Sequence, residues 1–521
     1  MAERLSAREA VALLTDSFSE FPEFAGAREP DESRRPEGAG GPDGPDGSGT
    51  EGRDGAGEPG GSGGPGRRTD GLNPGDEPDG PDGHGGPDSH GGRDEPGHGQ
   101  DPAGDGPIGW RGYGDTRARA AARTGETESV ICGTALIGEV RAVVVAFEFA
   151  FLGGSLGERT GDRLQAAYSA ARELRLPLVS LIATGGSRMQ EGMLALTQLQ
   201  RVARESALLR AGGLPQIAVL RDPTTGGGWA TLGAGADVAL ALPSAQVAFA
   251  GSRVRPPGAD PSAYTAESQL AMGHIDAVVR SDELRPAVSR WLRLLTGTVV
   301  VPAAAEPPPA LARAPLPAGG WDAVLSARDP GRPRARQYLD AYFDETADIS
   351  GDRCGGVDPG MLCGFGRRDG RTIAYAAQCG TATRPAGYRT ATRLIRLAER
   401  LRIPVLTLVD TPGAANDADA ERAGAGPAIA ELFAAVATAR VPVTTLVVGE
   451  GGSGGALALA APGNTWVTPD SYFSVIAPEL AAAILKRSPA EAPATAEQLR
   501  LRPQDLVELG IARGIVRAGA D

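Results

Sequence analysis

Residues Val443–Val467 read VTTLVVGEGGSGGALALAAPGNTWV, which compresses a strand, a glycine cluster and a small-residue helix into one stretch. Val443 to Val448 are mostly β-branched, Gly449 to Gly455 supply a tight turn, and Ala456 to Ala461 favour helix. With no side chains in the way, the backbone N–H groups at the start of such a helix can reach a bound oxygen, and the helix dipole favours negative charge there. One glycine cluster alone is a weak signal, because it also serves merely to pack a helix against a sheet.

A second copy strengthens it. Leu214 to Leu242, LPQIAVLRDPTTGGGWATLGAGADVALAL, again runs strand, glycine cluster, small-residue helix and apolar strand. A strand ending in glycine precedes each copy: RLPLVSLIATGG at Arg175–Gly186 and RIPVLTLVDTPG at Arg402–Gly413. A glycine-bearing closing strand follows each, GHIDAVV from Gly273 and LGIARGIV from Leu509. The same order repeated after roughly 230 residues predicts two homologous domains, a period far longer than that of solenoid repeats.

The apolar fraction of 41% suffices for real cores. No stretch is long and apolar enough to span a membrane, and the opening MAERLSAREAVALL carries charges where a signal peptide needs an apolar run, so a cytoplasmic protein with no membrane association is expected. Cys132, Cys354, Cys363 and Cys379 contain no C-x-x-C pair; they read as buried free thiols, and no metal is expected. Of the four histidines only His274 lies outside low-complexity sequence, in a strand-like context that reads as structural. The net charge of −13 says little about partners, because Gly26 to Pro107 holds 19 acidic residues against 7 arginines. The remainder is nearly neutral and has no basic stripe with interleaved aromatics, which argues against nucleic acid.

Along the chain, Ala7 to Phe18 is amphipathic and is expected to dock on a folded domain. Residues 26–107 have Leu72 as their only large aliphatic side chain, too little burial to offset ordering entropy, so disorder is expected there. The first domain is assigned to 108–298, with a helix at Thr116–Arg123, a strand at Val140–Phe149 and a helix at Thr160–Arg175. A Pro/Ala-rich linker covers 299–320, and the second domain, 321–521, has helices at Arg336–Phe343 and Tyr388–Arg400 and a strand at Thr372–Gln378. Alternating strands and helices imply α/β layering.

In the first domain the N–H groups of Gly185 and Gly186, within TGGSRMQEG (Thr184–Gly192), are free to face a ligand oxygen, and Gly226 and Gly227 could add another donor. Such donors suit a thioester carbonyl becoming an enolate. Arg188 and Glu191, three apart, read as a local ion pair rather than as catalysts.

These motifs carry a specific resemblance. TGGSRMQEG, DPTTGG and VAFAGSRV (Val247–Val254) resemble the β subunit of bacterial acetyl-CoA carboxylase carboxyltransferase. SGDR (Ser350–Arg353), PAGYRTATRLIRLAER (Pro385–Arg400), VDTPGA (Val409–Ala414), GEGGSGGALA (Gly449–Ala458) and YFSVIAPE (Tyr472–Glu479) resemble the α subunit. The chain thus resembles β fused to α, over most of its length and in family order. The resemblance implies α/β architecture with two crotonase-like (ββα superhelix, ClpP/crotonase) domains in tandem. It also implies transfer of a carboxyl group from carboxybiotin to the α carbon of an acyl-CoA. By the same resemblance Gly185 and Gly186 would hold the thioester oxyanion, Gly455 and Ala456 the ureido oxygen of biotin, and Gly451, Gly452 and Gly454 would line the substrate approach. The biotin ureido anion can take the α proton itself, which fits a chain with one usable histidine.

The sequence departs from the family pattern in three places. It lacks the four-cysteine zinc ribbon usual in β subunits, carries the acidic segment between AREAVALLTDSFSEF and GPIGWRGYGDTRARAAARTG, and is unusually Ala-rich in ANDADAERAGAG after DTPGA. The string GGALALA favours acetyl-CoA as acceptor; the alternatives are a malonyl-thioester decarboxylase on the same fold and a non-catalytic assembly subunit. Biotin needs a lysine carrier, and Lys486, the single lysine, sits at a helix end as a solvated cation. A separate biotin carboxyl carrier protein and a biotin carboxylase are therefore expected partners, and a homo-oligomer is expected to bring the two kinds of glycine cluster together.

Overall fold

The computed structural model describes residues 5–22, 104–297 and 302–518. The disorder expected over 26–107 therefore falls almost entirely outside the described residues.

Each half builds a mixed sheet from the same parts. In the first, β1 (Ser17–Glu20), β2 (Val130–Ile137) and β3 (Val140–Phe147) pair antiparallel. From β3 onward the pairing is parallel, through β4 (Leu178–Thr184), β5 (Gln216–Thr225), β6 (Val238–Ala241) and β8 (Ala277–Val278), with β7 (Val247–Ala248) on the end of β5. In the second half β9 (Glu345–Ile349), β10 (Met361–Arg368) and β11 (Arg371–Gln378) are antiparallel. Then β12 (Val405–Thr411), β13 (Val443–Gly452), β14 (Thr465–Val467) and β16 (Gly514–Ile515) run parallel, with β15 (Tyr472–Ser474) on the end of β13. The central strands β4 and β12 are buried at every position, as expected where helices cover both faces of a parallel sheet. Asp369 and Gly370, both at positive φ, turn β10 into β11, the D-G hairpin chemistry visible in RRDGRT.

The duplication holds residue by residue. The helices Glu158–Leu174 and Pro385–Leu401 have the same length and end alike, on Arg175 (φ 53°) and Arg402 (φ 57°) in the left-handed region. The pairs Arg175/Arg402, Gly186/Gly413 and Gly226/Ser453, all at positive φ, are the same interval apart in the chain. The register shift between β4 and β5 at Ile182/Thr184 recurs between β12 and β13 at Val409/Thr411. A π-turn at Trp229–Gly233, where Ala234 N–H reaches Trp229 O at 2.7 Å, lengthens the first copy's helix, whereas the second copy's helix is the short Ser453–Leu457. That helix starts earlier and stops earlier than the Ala456–Ala461 read from composition.

The halves meet around Asp276, a buried carboxylate on the first half that accepts from Arg353 (2.6 Å) and Arg393 (2.9 Å) of the second. Arg400 and Asp237 pair beside it at 2.6 Å. Gly273 and Gly351 touch backbone to backbone here: a Cβ on Gly351 would lie 2.1 Å from the Gly273 Cα.

At the N-terminus the amphipathic helix is shorter than Ala7–Phe18. It spans Ala7–Leu14, is closed by a Ser6/Glu9 capping box, and buries Ala7, Ala10, Val11 and Leu14 on the first half. Thr15 then bonds back to Val11 O, and Ser17–Glu20 leaves as the strand β1. The described part of the 299–320 segment forms no helix or strand before the helix that begins at Gly320, and Ala305 and Ala310 are buried against the second half. The cysteine expectation is corrected at two positions: Cys132 and Cys363 are buried, but Cys379 is half-buried and Cys354 is exposed, because it sits in the glycine loop following the Ser350–Arg353 motif. His274 is structural in its contacts, its Nδ1 lying 2.9 Å from Gln269 Oε1 while its carbonyl receives Arg353.

Candidate active site

Both glycine loops leave the C-terminal ends of parallel strands, and both are tied down by the same hydrogen bonds. In the first half Gly186 has φ 108°, donates its N–H to Thr184 Oγ1 at 3.0 Å, and accepts from Leu156 N–H at 2.9 Å, while Arg188 N–H donates to Leu156 O at 2.9 Å. In the second, Gly413 has φ 143°, donates to Thr411 Oγ1 at 3.1 Å and accepts from Thr383 N–H at 3.1 Å, while Ala415 N–H donates to Thr383 O at 2.9 Å.

The four first-half glycines come together. A Cβ on Gly226 would lie 3.0 Å from the Gly186 Cα, which explains why glycine occupies both positions. Their N–H groups are largely engaged within the loop: Gly185 donates to Gly153 O at 2.9 Å, Gly186 to Thr184, and Gly226 to Phe249 O at 3.0 Å. Gly227 stands at the start of the helical turn Gly226–Gly228, where first-turn N–H groups have no intrahelical acceptor.

The second-half glycines also gather at one turn, though they differ in access. Gly451 and Gly452 are buried, and added Cβ atoms would strike Phe473 at 2.0 Å and Pro412 O at 2.1 Å. Gly455 and Ala456 are buried too; Gly455 packs on Ala414, and its carbonyl accepts from Gln378 Nε2 (3.1 Å) and Tyr388 O–H (3.2 Å). Gly454 is the half-exposed member, with nothing within 4 Å of where its Cβ would be. An oxygen can therefore approach the first turn of Ser453–Leu457 along Gly454.

Behind each loop sits a buried arginine–carboxylate cluster. Arg188 does pair with Glu191 at 3.1 Å, but it belongs to a wider network that includes Glu128, Tyr113, Ser155 and Thr160. Burial works to raise the Glu128 pKa, yet the Arg188 charge holds that carboxyl below its ordinary value. Burial pushes the Tyr113 phenol up to about 12, so it remains a neutral donor. In the second half Asp410 pairs with Arg332 at 2.5 Å and Arg334 at 3.2 Å, and also receives Glu450 N–H at 3.2 Å, fixing the start of the β13 turn. The sequence assigned no role to Glu128, Tyr113, Arg332 or Asp276; Tyr113 and Asp276 stood inside quoted stretches, as did Asp410 and Arg353, whereas Glu128 and Arg332 stood in none. Among the described residues no group of three or more His, Cys, Asp or Glu side chains is placed to hold a metal ion.

With this geometry in place, comparison with known proteins is decisive. Residues 318–520 match the family described as acetyl co-enzyme A carboxylase carboxyltransferase-like, and residues 109–285 match the carboxyl transferase domain. The "Acetyl-coenzyme A carboxylase carboxyl transferase subunits beta/alpha" of Saccharopolyspora erythraea is 38% identical over 429 residues, covering 78% of this chain and 74% of the relative. The chain belongs to the acyl-CoA carboxylase carboxyltransferase family.

This carboxyltransferase is 40% identical over 426 residues to the protein of the same description from Salinispora arenicola, covering 77% and 75% of the two chains. It is 34% identical over 419 residues to a probable biotin-dependent acyl-coenzyme A carboxylase beta3 subunit of Mycobacterium bovis, covering 78% and 83%. Its fold matches that of transcarboxylase 12S, solved with methylmalonyl-coenzyme A bound, with a TM-score of 0.63 at 21% identity over 75% and 79% of the chains. The two tandem halves are crotonase-like domains, and the enzyme is the carboxyltransferase component of a biotin-dependent acyl-CoA carboxylase. No helix among the described residues is long and apolar enough to cross a membrane.

Proposed function

We propose that this carboxyltransferase accepts the carboxyl group from carboxybiotin on a separate carrier protein and delivers it to acetyl-CoA, giving malonyl-CoA. The observation that carries this reading is the duplicated loop: two glycine turns with the same hydrogen-bond strap, one per half, each ending a buried parallel strand. Two oxygens must gain negative charge during the transfer, the thioester carbonyl and the biotin ureido oxygen, and each half offers a strapped glycine loop packed on the start of a helix, Gly186 against Gly226 and Ala414 against Gly455.

In this reading the first half binds the acyl-CoA. The thioester oxygen takes over the Gly186 N–H from Thr184 Oγ1, with the Gly227 N–H beside it, while Gly185 holds the loop through its bond to Gly153 O; each donor aimed at such an oxyanion contributes about 3 kcal/mol in the transition state. The second half binds biotin at the first turn of Ser453–Leu457, where Gly454 leaves room for approach and the N–H groups of Gly455 and Ala456 complete the cradle. The open side of Gly454 and the acceptor-free first turn fit a ureido oxygen. Carboxybiotin, when bound, supplies the carboxyl group and a ureido nitrogen basic enough to take the α proton. The chain's residues orient the two partners and exclude water, and His274 remains structural.

The active site forms between the first half of one chain and the second half of another, so the enzyme works as a homo-oligomer served by a biotin carboxylase and a biotinylated carrier. Mixing a Gly186→Val chain with a Gly455→Val chain tests this. Each variant alone loses transfer, and verified mixed oligomers regain part of it through hybrid sites that pair two intact halves. Mixed oligomers without any regained activity contradict a shared site.

A further inference from the structure

We infer that Tyr113, together with Arg188 and Glu191, is a positioning residue for the Gly185–Gly186 loop, acting on transfer at the acyl-CoA side alone. This rests on the assignment of that loop to the thioester. The Arg188 side chain is wholly buried, yet every face of its guanidinium is used. Nε donates to Ser155 Oγ at 3.1 Å, Nη2 to Ser155 O at 2.8 Å and to Glu128, and Nη1 to Tyr113 Oη and Glu191 Oε1, both at 3.1 Å. Tyr113 in turn donates to Glu191, whose other oxygen accepts Glu158 N–H at 2.5 Å and so holds the start of the helix Glu158–Leu174.

These contacts join the two loops that carry the glycines. Residues 153–156 and 184–188 are already strapped by Gly185 N–H to Gly153 O and Leu156 N–H to Gly186 O, and Arg188 reaches back from the second loop to Ser155 in the first. The second half supplies an internal control. There the same backbone strap forms through Thr383, Gly413 and Ala415, with alanine at the place of Arg188. The strap folds without a guanidinium from the loop itself, since the second half's arginines meet Asp410 ahead of the strap, so the tie from Arg188 to Ser155 and Tyr113 is particular to the first loop. Tyr113 brings it a hydroxyl from the helix Tyr113–Thr124, outside both loops. Rigidity matters at this point because oxyanion donors lose their effect when misplaced by a fraction of an ångström to an ångström.

Tyr113→Phe removes the one hydroxyl and keeps the ring. The expected result is a fall of about tenfold in kcat, the effect of losing a hydrogen bond to a charged group, with the KM for biotin unchanged and that for acyl-CoA within about twofold. Amide hydrogen exchange should speed up over 184–188 and stay at the wild-type rate over 411–415. Glu191→Gln, which keeps an acceptor for Tyr113, should retain more activity than Glu191→Ala. If Tyr113→Phe does not fold, Ser155→Ala, which removes the Nε acceptor, should give the same split. A variant with lowered Tm but wild-type kcat, or with exchange unchanged over 184–188, overturns the inference. Faster exchange in a chain whose wild type transfers no carboxyl group overturns the functional assignment instead and leaves the network's hold on the loop standing.

Discussion

Asp276→Ala should loosen the joint between the two halves. The carboxylate is buried and satisfies four donors: Arg353 at 2.6 Å, Arg393 at 2.9 Å, Ala239 N–H at 2.9 Å and Ser350 N–H at 3.0 Å. Removing it leaves two largely buried guanidinium groups facing a cavity without a counter-charge. Breaking one side of such a pair costs about 3 to 5 kcal/mol, more than the pair itself contributes, because the orphaned charge remains desolvated. The pH dependence gives a second, independent reading. Burial opposes ionisation of Asp276, but Arg353 and Arg393 outweigh it and hold the carboxyl below its ordinary value of 3.8. A depressed carboxyl pKa contributes stability that is fully present above the unfolded value and is lost as pH falls through the folded one. The gap between wild type and Asp276→Ala should therefore be constant from about pH 5 to 7 and shrink below pH 3.8. Urea unfolding followed by circular dichroism at several pH values measures it. A difference below about 1 kcal/mol at pH 7, or a gap that does not close in acid, would refute the reasoning, since the former is the range of an exposed ion pair.

Three further outcomes follow from the same geometry and sequence. Gly455→Val places a branched side chain where even a Cβ lies 2.4 Å from Ala414 N, so transfer should fall at least a hundredfold while acyl-CoA binding, measured by calorimetry, stays within about threefold; equal losses in a folded variant would reverse the assignment of the two halves. Deleting residues 26–102, whose composition supplies almost no apolar burial, should leave turnover with free biotin within about twofold of the full chain. Streptavidin should not stain the chain purified from a host with active biotin ligase, because Lys486 is the single lysine and lies exposed just past the helix Pro478–Ile484; stained protein would show that it carries its own biotin.

The fold was legible because its signals are local. β-branched runs, glycines where φ must be positive and amphipathic helices repeat in the same order, and the structure returns the repeat down to the paired left-handed Arg175 and Arg402. Gly186 and Gly226 could be picked out from sequence because glycine is required where their backbones approach one another. What could not be read is long-range partnership. Glu128 lies 60 residues from Arg188, and Arg332 lies 78 from Asp410. A charged residue that finds a buried partner across the fold looks, in sequence, like any surface charge. The difference in access between Gly454 and Gly455 was equally invisible, since it depends on Ala414 from another loop.

Carboxyl transfer is measured by supplying the purified chain with a carboxylated carrier protein and acetyl-CoA, without ATP, and following malonyl-CoA. Malonyl-CoA should form in a reaction that depends on the carrier's carboxybiotin and is lost in both Gly186→Val and Gly455→Val. Absence of transfer to any acyl-CoA, or breakdown of malonyl-CoA to acetyl-CoA and CO₂ at the same rate with and without biotin, would contradict it.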